Sequence, residues 1–172
     1  PDGIATIAAL RVAFDFSMIF QQAANQFRHF FISFGFDDLP RKRRFMTIIC
    51  AGITAIMLIY SLTPLYQWVW GTVMGLPAEL ISIARDATLI MCLMPAIIIY
   101  RNYFHAHLMM MRRTGGMAYG SILRVGSIYT CAHVCFSLGW LSPVNATLIL
   151  ILGFVIEAVI AQFTFRQANA HK

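Results

Sequence analysis

Ionisable side chains sit inside stretches that are otherwise apolar, among them Arg11, Asp15, Arg28, Arg85, Asp86, Arg124 and Glu157. A charge in hydrocarbon is expensive unless it is paired, hydrogen-bonded or wet, so such residues define the chemistry open to the chain. Guanidinium forks suit phosphate and carboxylate groups, and a pore for cationic solutes would need little arginine. Arg11 and Asp15 are four apart, share a helix face and can pair. The pair either locks its helix to a neighbour or lines a cavity; Asp15 lies roughly 16 Å from the outer end of its segment, near the membrane midplane. Gln21 adds an amide in the next turn, and Gln22, Asn25 and Gln26 at i, i+3 and i+4 form a stripe that glues helices or lines a pathway. Arg28 extends that stripe. Glu157 lies between Ile156 and Ala158. A carboxylate at that depth is protonated, paired with an arginine or bound to a cation, so it is either a coupling-ion site or a structural partner. Arg124 either snorkels or partners Glu157. Arg85-Asp86 is an interfacial pair or a solute contact. His133, with Thr130 on its face, is an interhelical hydrogen-bonding residue or a proton relay.

Other chemistries find little support. His105 and His107 form an HxH, but partner histidines at fixed spacing are absent, so no metal or haem site is expected. The expected cofactors are none, apart from a coupling H+ or Na+. No phosphate-binding loop, Ser/His/Asp set or hydrolytic carboxylate pair is present, so an enzyme is not expected. Cys50, Cys92, Cys131 and Cys135 contain no CxxC and read as free, buried thiols. The net charge of +6 comes from 11 Arg and 2 Lys against 7 acidic residues. No aromatic-interleaved basic face lies outside the apolar segments, so nucleic acid is not an expected partner.

The elements that must position these residues are membrane helices. The chain has 172 residues, 59% hydrophobic and only 12% charged, with mean hydropathy +0.71. A soluble domain carries roughly a quarter charged residues, so the expected environment is the lipid bilayer. Five apolar segments of bilayer-spanning length occur, at about 4–36, 45–62, 79–104, 117–138 and 146–165. The first ends at Gly35 and Asp37-Asp38-Leu39-Pro40, followed by Arg41-Lys42-Arg43-Arg44. The second ends near Thr63-Pro64 among Tyr60, Tyr66, Trp68 and Trp70, as an interfacial aromatic belt does. Residues 71–77 read as a loop with a partly amphipathic surface segment. The third contains Pro95, which frees a backbone carbonyl and predicts a kink. Gly115-Gly116 is expected to break the chain before the fourth, Gly139 to Asn145 to turn it into the fifth, and Gln167 to Lys172 to form a polar tail.

Alternation of five spans puts Arg41, Lys42, Arg43, Arg44, Arg101, Arg112, Arg113, Arg166 and Lys172 on one side. The opposite loops, Thr63 to Glu79 and Gly139 to Asn145, hold no Lys or Arg. The basic loops and carboxyl terminus are therefore expected to be cytoplasmic and the amino end outside. An odd span count with an outside start, opening at Pro1-Asp2-Gly3, fits a fragment whose preceding helix is missing.

The order and spacing of several clusters resemble one family. These are the polar first helix ending in Arg28-His29-Phe30-Phe31, the basic turn into Phe45, and Pro95 followed by Arg101, His107, Leu108 and Arg112-Arg113-Thr114. Leu123-Arg124-Val125 and Gly153-Phe154-Val155-Ile156-Glu157 complete the pattern. Over essentially its whole length the chain resembles the carboxyl-terminal lobe of the multidrug/oligosaccharidyl-lipid/polysaccharide (MOP) exporters, which include the MATE transporters, and within them the progressive ankylosis family. The resemblance implies an all-α polytopic bundle, here five helices of a six-helix lobe, facing an absent amino-terminal lobe across a cavity that opens alternately to either side. It also implies export of a small anionic solute such as pyrophosphate, a nucleotide or an organic acid, from a site expected in the bacterial inner (plasma) membrane. Cavity candidates are Arg11, Asp15, Gln22, Asn25, Arg28 and Arg124, with Glu157 and Asp15 for ion coupling. A lipid-linked oligosaccharide flippase, a multidrug or cation antiporter, and a non-transporting membrane scaffold are the alternatives.

Overall fold

The computed structural model describes residues 3–170, and among them there are only helices, turns and loops. The order is α1 (Gly3–Asn25), α2 (Phe27–Phe34), α3 (Leu39–Leu62), the single turn α4 (Leu65–Gln67) running into a π-helical segment (Trp68–Val73), then α5 (Ala78–Met91), α6 (Met94–Met110), α7 (Gly115–Ser137) and α8 (Pro143–Ala170). Four stretches are long and apolar enough to cross a membrane: Gly3–Phe34, Leu39–Leu62, Ala78–Met110 and Pro143–Ala170. Their outward faces are as greasy as the core, with Ile4, Ile19, Ile48, Ile59, Leu62 and Phe163 exposed. Patches of that extent are untenable in water, and several long apolar helices make this a membrane-embedded protein. The predicted fourth span exists as α7 and is 23 residues long. It is not among the four, because glycines, serines, Arg124 and His133 dilute its hydropathy.

Several predicted boundaries move. The second span starts at Leu39, the third runs on to Met110 and the fifth to Ala170, so Gln167 to Ala170 are helical rather than a loose tail. Pro1, Asp2, His171 and Lys172 lie outside the described residues. Residues 68–73, the second half of them in the predicted loop, form the π-helical segment, in which Trp70 is fully buried against Tyr60 and Phe16. Gly115-Gly116 does not break the chain. The break lies at Met111–Thr114, where Arg112 takes φ 56° and the N–H groups of Arg112 and Arg113 donate to the carbonyls of Met109 and Leu108. That is a helix-ending pattern in which glycine is the usual left-handed residue, as Gly139 is at the end of α7.

The α5–α6 pair is the central element. Half of its most apolar stretch is buried, against 17% for the first span. It packs on α1–α2, α3 and α8, while α7 lies mainly along α8. Pro95 cannot donate to the carbonyl of Met91, and the helix is interrupted at Cys92–Leu93, with N–H bonds reaching back only three residues at Leu93.

Helix rotation follows small residues. Helix α1 buries Ala9, Ala13, Ser17, Gln21 and Ala24, a stripe that lets it approach Ala84 and Ala87 of α5 closely. Helix α7 approaches α8 through Gly116 and Gly120: a Cβ on Gly116 would overlap Thr164, and one on Gly120 would touch Glu157. From the α8 side Gly153 does the same, since a Cβ there would sit 2.5 Å from the Ile128 side chain.

Candidate functional site

These close helix approaches bring three helices together around one carboxylate. Glu157, on α8, is 3% exposed at its side chain. Its Oε2 accepts hydrogen bonds from Arg101 Nη1 of α6 at 3.0 Å and Arg124 Nη1 of α7 at 2.9 Å. Its Oε1 accepts from Ser121 Oγ at 3.0 Å, and His105 Nε2 lies 4.0 Å away. Ser121 and Arg124 are three apart on α7, and Arg101 and His105 four apart on α6, so each helix presents two groups on one face. Both guanidinium carbons also approach the ring of Phe154, at 4.7 Å for Arg124 and 5.4 Å for Arg101.

The network reaches α1 through two asparagines. Arg101 Nη2 donates to Asn25 Oδ1 at 3.2 Å and to the Oδ1 of its neighbour Asn102 at 3.4 Å. Asn102 Nδ2 donates to the carbonyls of Ala24 and Asn25, at 3.2 and 3.5 Å, and to Asn25 Oδ1 at 3.3 Å. Those carbonyls belong to the turn where α1 ends and α2 begins. A helix end inside a bilayer needs a donor from elsewhere in the protein, and Asn102 is that donor.

The cluster carries more positive than negative charge. Arg101 and Arg124 face one carboxylate, and Arg28 lies within electrostatic reach of Arg101. Three buried nitrogens there have no hydrogen-bond partner: Nε of Arg28, Nε of Arg101 and Nε2 of His105. An arrangement of surplus cation and spare donors inside a low-dielectric bundle can hold an anion.

The predicted site residues divide into two groups. Asn25, Arg124 and Glu157 come together, with Arg28 in electrostatic reach of Arg101, and Arg124 is Glu157's partner rather than a snorkelling surface residue. Arg11 and Asp15 do pair, at 2.8 Å, but at 76% and 58% side-chain exposure and apart from Glu157. The predicted stripe of Gln22, Asn25 and Gln26 is corrected. Gln22 and Gln26 point outward, and the inward face carries Gln21, Asn25 and Arg28, because the small-residue stripe sets the rotation of α1. Outward-facing Arg11, Asp15, Gln22 and Gln26 instead form a polar band on the open side of α1. Arg85 turns to the carbonyl of Ser61, 3.1 Å from its Nε, at the end of α3; Asp86 is 3.8 Å from the guanidinium and exposed.

Arg101 is the residue that the sequence reading misplaces. Alternation of the spans puts it with the basic loop charges, yet it is buried within α6, with Asn102 and His105 beside it. The signal was the spacing itself: Arg101 and His105 four apart and nine or fewer residues short of Met110, with no turn residue between. The HxH separates in space, since His105 faces Glu157 while His107 stacks on Phe36 at 3.4 Å between ring centroids. Among the described residues no group of three or more His, Cys, Asp or Glu is placed to hold a metal. No protein-family model, no curated protein and no solved structure matches the chain.

Proposed function

We propose that this chain is part of a secondary exporter that moves a small anionic solute across a membrane by alternating access. The observation that carries the reading is the buried cluster in which Arg101 and Arg124 share the single carboxylate of Glu157, with Arg28 nearby and donors to spare. A phosphate or carboxylate solute suits those arginine forks better than a cation does. The polar band of Arg11, Asp15, Gln22 and Gln26 supports the same reading. In lipid such a band is costly, so water or further polypeptide covers it, as at a cavity shared with a second lobe. In this reading Glu157 balances the arginines when no solute is bound, and a coupling ion or the solute itself competes for them. Asp15 is the second candidate for ion coupling. The location proposed is a bacterial inner membrane, with the basic turn at Arg41-Lys42-Arg43-Arg44 and the carboxyl end cytoplasmic.

The test is efflux of pyrophosphate, ATP and citrate from proteoliposomes containing the complete gene product. Arg124→Gln and Arg11→Gln should each lower efflux at least tenfold while the protein reaches the membrane and elutes as a folded species. Normal efflux from both variants would remove the site assignment. A second reading has its own support: Glu157 already accepts three hydrogen bonds from protein groups, as a purely helix-joining residue in a scaffold would. Absence of efflux for every anion from the folded wild-type protein would favour that reading.

A further inference from the structure

The bundle is not closed between α3 and α6. A cleft of about 760 Å³ opens there, walled by Cys50, Ala51 and Leu58 of α3 and by Ala96, Ile99 and Tyr100 of α6. A second cleft of about 330 Å³ shares Ala96 and Tyr100 and continues onto Val155 and Val159 of α8. Two apolar channels thus flank the exposed ring of Tyr100 on the membrane-facing side of the central helix.

One end of the larger cleft is cationic. Arg43 lines it, with Nη2 donating to the Tyr103 hydroxyl at 2.9 Å and the guanidinium carbon 5.3 Å from the Tyr103 ring. That contact fixes the guanidinium over the mouth. Its neighbours in the basic turn are differently engaged. Lys42 Nζ donates to the carbonyls of Phe34 and Gly35, and Arg41 pairs with Asp38 at 3.2 Å. Arg43 is the cation of the turn that lines the cleft, and its guanidinium keeps donors for a ligand; Arg44 follows it on α3 and makes no side-chain hydrogen bond or ion pair among the described residues. Basic residues at the membrane surface next to an apolar groove recognise anionic lipid head groups.

We propose that the paired clefts hold the two acyl chains of one anionic phospholipid, its phosphate resting against Arg43 and Arg44. The site lies outside the Glu157 cluster and does not depend on the transport reading. Charge complementarity selects the occupant: an apolar helix of another polypeptide would fill the channels but leave the arginines unmatched, whereas an anionic lipid supplies both chains and charge.

Native mass spectrometry of the detergent-purified chain provides the test, with dioleoyl phosphatidylglycerol and the phosphatidylcholine of the same chains as probes. One phosphatidylglycerol should be retained in preference. Arg43→Gln should weaken retention about fivefold, and adding Arg44→Gln about fivefold more, at about 1 kcal/mol per cation near the surface. Arg43→Lys should keep most of it. Ala96→Trp, at an exposed position common to both clefts, should reduce retention of both lipids. Because positions 43 and 96 are exposed, unaltered helicity is expected in both variants. A photoreactive acyl chain should label α3 and α6 near residues 51–58 and 96–100. Equal retention of the two lipids, displacement by millimolar inorganic phosphate alone, labelling confined to the outer face of α7, or Cys50–Cys50 cross-linking between copies would each overturn the proposal.

Discussion

The arrangement around Glu157 predicts a specific pattern of non-additive destabilisation. Arg101 and Arg124 both bond to Oε2, at 3.0 and 2.9 Å, and their side chains are 10% and 26% exposed. At an effective dielectric of about 20 each contact is worth roughly 5 kcal/mol of gross attraction, opposed by a desolvation penalty of several kcal/mol per ion. Removing one partner of a buried pair typically costs about 3–5 kcal/mol. Glu157→Gln strands two arginines at once and should fall in that range. Arg101→Gln leaves Arg124 on the carboxylate and should cost less; Arg124→Gln, the more exposed partner, should cost least. The double variant Arg101→Gln/Arg124→Gln leaves Glu157 with Ser121 as its remaining hydrogen-bond donor. It should exceed the sum of the single losses by about 1–3 kcal/mol, the usual coupling of residues in one network. In Glu157→Gln/Arg124→Gln, by contrast, fewer unmatched cations remain, and the loss should be smaller than in Glu157→Gln alone. The assay is reversible unfolding of the purified chain in mild detergent with increasing dodecyl sulfate, followed by helical circular dichroism. Additivity within about 0.5 kcal/mol across both cycles would refute the shared-carboxylate geometry.

Three further outcomes follow from local structure. Gly153→Val places a side chain 2.5 Å from Ile128 and 3.2 Å from Arg124 Cγ, so it should push α7 off α8. The cost should be about 1–3 kcal/mol, and the distance between spin labels at Tyr129 and Leu152 should lengthen. Arg112→Gly relieves a left-handed residue at the end of α6 and should stabilise by about 1 kcal/mol; an unchanged or lower midpoint in the same unfolding assay argues against that end geometry. Asn102→Leu removes the donor to Ala24 and Asn25 and should cost about 1–3 kcal/mol, with faster amide exchange confined to the α1–α2 junction.

Much of the architecture was legible because its physics is local. A chain this apolar and this short of charge settles in a bilayer, and spanning length with turn residues at 35–40, 63–64 and 139–143 marks the helices. Pro95 announced an interrupted helix, since its missing N–H is a property of the residue. Glu157 and Arg124 stood out for a similar reason: a charge flanked by apolar residues in a spanning segment is costly unless something pairs with it. Helix α7 shows the limit of that approach, because its composition is mixed enough that length alone suggests a span.

Which ionisable groups meet was a different kind of question. The sequence gives each helix a set of faces, but rotation is chosen by how closely two backbones can approach. Alanines 9 and 13 turned Gln21 and Arg28 inward and left Arg11, Asp15 and Gln22 outside. Glycines 116, 120 and 153 drew α7 against α8 and so delivered Ser121 and Arg124 to Glu157. Arg101 read as a loop charge until the tertiary structure buried it 56 positions from its partner in sequence. Residue types determined that charges would have to be paired inside this membrane protein; only packing between helices distant along the chain decided which ones.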